Sequence, residues 1–188
     1  MSRQLPFFAT LVVLAAVGTM IALGVWQLGR RAEKEALIAN YEAVAASSEA
    51  VDFPVGAGGE GVLFRRSRID CARVTGIAAI SGTSARGQKG WVQRATCAVG
   101  ADAAVAVDLG FSRDPATPVF AGGKITGIIA PGPRLVADPP VAGLEPMAKP
   151  DPGDLPNNHL AYAGQWFFFA LTALVIYVLA LRRRPGVS

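Results

Sequence analysis

Hydrophobic and polar positions divide the chain into three regimes. Gln4 to Gly29 and Leu155 to Leu181 run for 26 and 27 residues without Asp, Glu, Lys or Arg, whereas a bilayer span needs about 20 apolar residues. Both windows predict transmembrane helices, placed over residues 5–28 and 159–181. A cleaved secretory signal fits the first window poorly, because its apolar region would cover about 7 to 15 residues before a small-residue cleavage site. Here the run is longer and ends in Trp26-Gln27. Helical spacing continues past it: "RRAEKEALIANYEAVAA" lacks Gly and Pro and sets Leu37, Tyr41 and Val44 at helical intervals, predicting a stalk over 29–50.

Between the windows the period shortens. "VLFRRSRI", "ARVTGIAAI", "WVQRATCA", "AVAVDL" and "KITGIIA" are short β-like runs separated by Gly, Ser, Asp and Pro clusters, and Val105, Val107 and Leu109 alternate as in a strand with one buried face. They predict a β-rich domain over 51–130, a small antiparallel barrel or sandwich. Eight of the 13 prolines fall between Pro131 and Pro156, so 131–158 reads as an extended strap without helix or central strand. The predicted fold class is a membrane protein of α+β type, two transmembrane helices flanking an external β-rich domain, with a tail over 182–188.

Composition agrees: 52% of residues are hydrophobic and the mean hydropathy is +0.37, high for a chain dissolved only in water. Charge adds topology. All 14 acidic residues and 14 of the 18 basic ones lie between the spans, so the net +4 consists of Arg3 and the Arg182-Arg183-Arg184 triplet. That placement predicts both termini in the cytoplasm and excludes a nucleic-acid surface as the meaning of the basic pI. Arg30, Arg31 and Lys34 oppose the rule on the external side, yet a connection well over 60 residues long translocates largely regardless of charge.

Most candidate chemistry fails on context. "GAGGEG", Gly56 to Gly61, has dinucleotide-motif spacing, but a β-like run follows where a helix is required. Cys71 and Cys97 lack a second pair or a second histidine for zinc; in an oxidising compartment they form a disulfide, and two independent buried thiols fit the sequence equally. Copper handling wants clustered Cys, Met or His, and the external region has only Met147 besides the two cysteines. No G-x-S-x-G occurs, and one histidine at a membrane entrance is a poor start for a triad. Asp151 and Asp154 sit in the strap, where nothing shifts a pKa.

The single histidine, His159, stands behind Asn157 and Asn158 at the start of the second span. Either asparagine suits a helix cap, and Tyr162 and Trp166 suit an interfacial aromatic belt. Trp166 falls about 10 Å further along the same helix face. Two readings follow: an interfacial histidine bonded to water and headgroups, or an axial ligand to a haem lying partly in the membrane.

The two chain ends carry a resemblance. "LGVWQLGRRAEKEALI", Leu23 to Ile38, and "NNHLAYAGQWF", Asn157 to Phe167, closely resemble the paired terminal signatures of the Surfeit locus 1 (Surf1) family, through Gly24, Trp26, Gln27, Leu28 and Arg30 at one end and Asn157, Asn158, His159, Leu160, Tyr162 and Trp166 at the other. The centre echoes the family in "FRRSRIDCARVTG" and "KITGIIAPGPR"; where the family usually shows Asn-Arg-Gly-Trp, this chain has Asp108, Leu109, Gly110 and Phe111, without the arginine.

The resemblance implies a non-enzymatic assembly factor for a haem-copper terminal oxidase, acting in maturation of cytochrome c oxidase subunit I by receiving haem a from its synthase, holding it, or stabilising the site while haem is inserted. The family histidine maps onto His159 and the following tryptophan onto Trp166. The expected site therefore has His159 as metal ligand, Trp166, Tyr162 and Trp26 forming an apolar slot, and Arg30 or Arg31 reaching haem propionates. The rival expectation is a cofactor-free scaffold holding a β domain at the bilayer. A chain that begins directly at an anchor leaves no room for a mitochondrial transit peptide, so the expected location is a bacterial inner membrane with the central domain periplasmic.

Overall fold

The computed structural model describes residues 7–47, 49–56, 59–100 and 103–183. The first residues of the predicted span, Arg3, the tail from Arg184 and Ala57-Gly58 of the glycine-rich turn lie outside the described residues. Two compact units divide the chain: Met1–Leu37 with Pro156–Ser188, and Ile38–Leu155.

The first unit is built from two helices. Helix α1, Phe7–Ala45, runs without interruption from the apolar window into the stalk, and α2 covers His159–Arg183. Both are long and apolar enough to cross a membrane. Among the described residues, 22 large hydrophobic side chains are exposed, and 20 of them lie on these helices. Water would penalise such a surface at roughly 25 cal/mol per Å², whereas hydrocarbon does not.

The second unit is one seven-stranded mixed sheet: β1 Val51–Asp52, β2 Arg66–Cys71, β3 Arg73–Thr83, β4 Lys89–Val99, β5 Ala103–Ser112, β6 Gly123–Ala130 and β7 Arg134–Ala137, in the order β1-β2-β6-β7-β5-β4-β3. The expected antiparallel barrel or sandwich is thus corrected. β1 pairs with β2 and β5 with β7 in parallel, and the sheet is not a closed barrel.

The strap is also corrected, because β7 is a central strand inside it. Arg134–Ala137 contains no proline, and Leu135, Val136 and Ala137 are all buried. Proline forbids a strand only where its own missing N–H is needed, and these four residues fit between Pro133 and Pro139.

Alternation builds the core. Ser67, Ile69 and Cys71 of β2 are buried in period two, and Ile69 and Cys71 join Val105, Val107, Leu109, Ile125 and Leu135 in one cluster. A second cluster holds Val92, Phe111, Ala130, Val136 and Met147. The switch occurs at a bulge: Arg94 opposes Asp108 but Gln93 opposes Gly110, so Leu109 is the extra residue. Beyond it Phe111 faces the second cluster rather than the first, as a bulge re-aims the side chains that follow.

Cys71 and Cys97 are joined, with Cα atoms 5.1 Å apart. They belong to β2 and β4, which three strands separate in the sheet order. β3 follows β2 after one residue, and the Ala72 N–H donates to Ala98 O at 3.1 Å. The sheet therefore curls until its two halves meet along this strand, and the disulfide fastens the meeting.

Candidate functional site at the paired helix ends

The helices of the first unit lie antiparallel. Thr10 hydrogen-bonds Tyr177, Gly24 packs on Phe167 and Gln27 meets His159, so positions rising along α1 meet positions falling along α2. Their buried positions within the unit are Val17 and Gly24 on one helix and Ala163 and Ala170 on the other, seven residues apart in each case. That repeat keeps one stripe facing a partner helix, and small residues let the backbones approach. Gly24 is needed there: a Cβ would lie 2.6 Å from Phe167 Cε1.

His159 is the first residue of α2 and is half-buried. Asn158 occupies the cap position, its carbonyl accepting from Tyr162 N–H at 3.2 Å. His159 Nδ1 lies 2.7 Å from Gln27 Oε1. An amide oxygen only accepts, so Nδ1 donates, and in a neutral imidazole Nε2 is then left with its lone pair. A metal-binding histidine is commonly oriented in this way, by a hydrogen bond on its other nitrogen. Beside it, Asn157 Oδ1 is buried with no hydrogen-bond partner among the described residues. From Phe7 to Gln27 the helix rises about 30 Å, the thickness of a hydrocarbon core, so the pair stands at the end of the apolar stretch.

The other expected site residues are placed unevenly. Trp166 is half-buried on the stripe below His159 and meets Phe169 edge-on, with ring centroids 6.3 Å apart. Tyr162 and Trp26 are exposed, at 51% and 56%. Arg30 pairs with Glu33 and Arg31 with Glu35 on their own helix. Gln27, assigned no role by the sequence reading, proves to be the partner of His159. The signal was present, since between Met20 and Gly29 Gln27 is the one amide in an otherwise apolar stretch, and polar side chains in such stretches commonly bond across helices.

In the sheet unit, "VDLGF" has two structural duties. Asp108, 4% exposed, accepts from Arg94 Nε at 2.6 Å and Nη2 at 3.0 Å, and from Arg134 Nε at 2.9 Å. The hydrogen bond to Asp108 raises the Arg94 pKa above its ordinary value, against an opposing effect of burial. Gly110 admits the strap, because a Cβ there would lie 2.5 Å from Leu144 Cβ and 3.1 Å from Glu145 O. Among the described residues no group of three or more His, Cys, Asp or Glu is placed to hold a metal ion.

Fold and site define a class: a β-sheet domain carried between two helices apolar enough to span a membrane, with one oriented histidine where the second helix begins. The SURF1 family model matches residues 14–171. The chain belongs to the SURF1 family, an assembly-factor family linked to cytochrome oxidase and not a known enzyme class. No curated protein matches it in the comparison made.

Proposed function

We propose that this protein is an assembly factor for a haem-copper terminal oxidase and that it handles haem a on the way to subunit I, with His159 as the iron ligand. The observation that carries this reading is the His159 Nδ1–Gln27 Oε1 hydrogen bond. It joins the two terminal signatures and holds the imidazole with Nε2 available. The donor set would supply one nitrogen ligand to iron: the chain has a single histidine, and among the described residues no cysteine is free. When bound, haem a supplies the iron and a flat apolar macrocycle. His159 would hold the iron, with Gln27 fixing the imidazole and Trp166 on the stripe beside it. Arg30 and Arg31 would serve propionates only by dividing their donors between them and Glu33 and Glu35.

The same reading sets the protein in a bacterial inner membrane. The antiparallel helices bring Phe7 and Arg183 to one end of the pair, which supports both termini lying on the cytoplasmic side. The Cys71–Cys97 disulfide supports an oxidising, periplasmic location for the sheet. Subunit I and haem a synthase are the partners this role requires.

Absorption spectra of protein purified from cells making haem a test the proposal. The intact protein carries a haem a spectrum, and His159→Ala loses it. A spectrum unchanged in His159→Ala removes the ligand assignment; no haem in the intact protein leaves the cofactor-free scaffold as the function.

A further inference from the structure

One cleft in the sheet unit is neutral as a whole but divided in charge. It has a volume of about 270 Å³, and its charged lining consists of Arg94, Arg134, Lys149, Asp108 and Asp154. Lys149 is held by Asp138 at 2.8 Å, so that pair cancels. Asp108 is bonded by both arginines and cancels one of them. What is left is one positive charge, shared over two guanidiniums, and one negative charge on the exposed Asp154.

The same groups have hydrogen-bonding capacity to spare. Arg94 gives Nε and Nη2 to Asp108, and Arg134 gives Nε to Asp108 and Nη1 to Pro131 O, so Arg94 Nη1 and Arg134 Nη2 have no acceptor among the described residues. The Asp154 carboxylate has no ion pair or hydrogen bond among them, although three cations line the same cleft. Asp154 and the arginines therefore share a cleft without bridging it. The arginines come from β4 and β7, with β5 and its Asp108 between them, and Asp108 fixes both guanidiniums in place.

We propose that this cleft binds a phosphoethanolamine group, as a lipid headgroup or as the free compound, with its phosphate accepting from Arg94 and Arg134 and its ammonium donating to Asp154. Two fixed guanidiniums with a donor free on each suit a phosphate, which presents several oxygens at once. A lone anion would leave Asp154 opposing it, whereas a zwitterion answers both unspent charges. Drug-sized ligand sites run to about 300–1,000 Å³, so the space suits a headgroup, and Val92, Val136 and Met147 give its methylenes an apolar lining. Helices apolar enough to cross a membrane would set lipid headgroups around the protein. The site lies in the sheet unit and does not depend on haem.

The test uses the full chain in phosphatidylcholine nanodiscs, titrated with phosphoethanolamine, ethyl phosphate, phosphocholine and ethanolamine and read by the ¹⁵N shifts of the arginine side chains. Phosphoethanolamine is expected to shift Arg94 and Arg134 and to bind about fivefold tighter than ethyl phosphate or phosphocholine, which have no N–H for Asp154; an exposed ion pair is worth about that much. Asp154→Asn abolishes the advantage and binds ethyl phosphate no more weakly. Ethanolamine, without the charge-assisted bonds to the arginines, binds at least about tenfold more weakly than phosphoethanolamine. Equal binding of phosphoethanolamine and ethyl phosphate, or an advantage that survives Asp154→Asn, overturns the ammonium contact. Ethanolamine binding as tightly as phosphoethanolamine overturns the phosphate contact, and no shift of either arginine at millimolar concentration overturns the site altogether. Phosphatidylethanolamine nanodiscs then identify the source: weaker apparent binding of the free compound assigns the cleft to the lipid headgroup, and unchanged binding assigns it to the free compound.

Discussion

Phe168 and Phe111 are the same side chain in two settings. Phe168, on α2, is 64% exposed, while Phe111, on β5, is wholly buried between the sheet and the strap. The helical unit turns its large apolar groups outward and keeps small residues and two polar pairs, Thr10–Tyr177 and Gln27–His159, between its helices. The sheet unit does the reverse, enclosing its apolar groups and keeping Asp108 inside only because two arginines hold it. What stabilises each unit therefore differs: close approach of small residues in one, and burial of area with a covalent tie in the other.

The sharpest way to break this contrast is to truncate the two phenylalanines. Phe111→Ala is expected to lower the unfolding free energy of the sheet by about 4 kcal/mol, since it leaves a cavity in a closed cluster. Phe168→Ala is expected to leave sheet unfolding unchanged. Denaturant titration in nanodiscs, followed by Trp91 fluorescence, reads both; equal losses would erase the distinction.

Next in size is the covalent tie. Cys71 and Cys97 are separated by 26 residues in sequence, and closing a loop of that size is worth about 3 kcal/mol through the unfolded chain. The Cys71→Ala/Cys97→Ala protein should lose that much sheet stability, while the helix pair stays intact in membrane extracts. An unchanged midpoint would mean that the curl holds without its tie. Gly110→Ala follows at about 2 kcal/mol, the usual range for overpacking, because the obstacle includes Glu145 O as well as two side-chain atoms. Proteolysis of the strap checks it: cleavage near Leu144 should accelerate in the variant and nowhere else.

How far the sequence foretold this architecture depends on what each feature needs. The helices were legible because 26 and 27 residues without charge meet a length requirement that no neighbour alters. Most strands were legible from local alternation. β7 was not, since the prolines around Arg134–Ala137 dominate any window wide enough to average. The pairing of Cys71 with Cys97 was left open because it depends on the curl of the sheet, a property of all the strands. Leu109 looked like a regular member of the Val105–Val107 series; the bulge there appears only when β4 sets the register. At the helix ends, His159 and Trp166 were visible as residue types. Gln27 acquired its role only once α1 and α2 were known to run antiparallel with Gly24 against Phe167.

The smallest expected effect falls on that last pair. Gln27→Leu removes the acceptor of the His159 Nδ1 proton while keeping an apolar side chain of similar size in the stripe. A net hydrogen bond is worth about 1 kcal/mol, so the helix pair should loosen slightly and the sheet should unfold as before. Gln27→Glu supplies an acceptor again and should restore the orientation of the ring. The two substitutions therefore separate packing from orientation: ¹⁵N chemical shifts of the imidazole should report mixed tautomers in Gln27→Leu and an Nδ1-protonated or doubly protonated ring in Gln27→Glu. If Gln27→Leu keeps the Nδ1-protonated form, the ring is held by packing alone, and the contrast between a helix pair whose end is set by a polar contact and a sheet organised by its core would have to be redrawn.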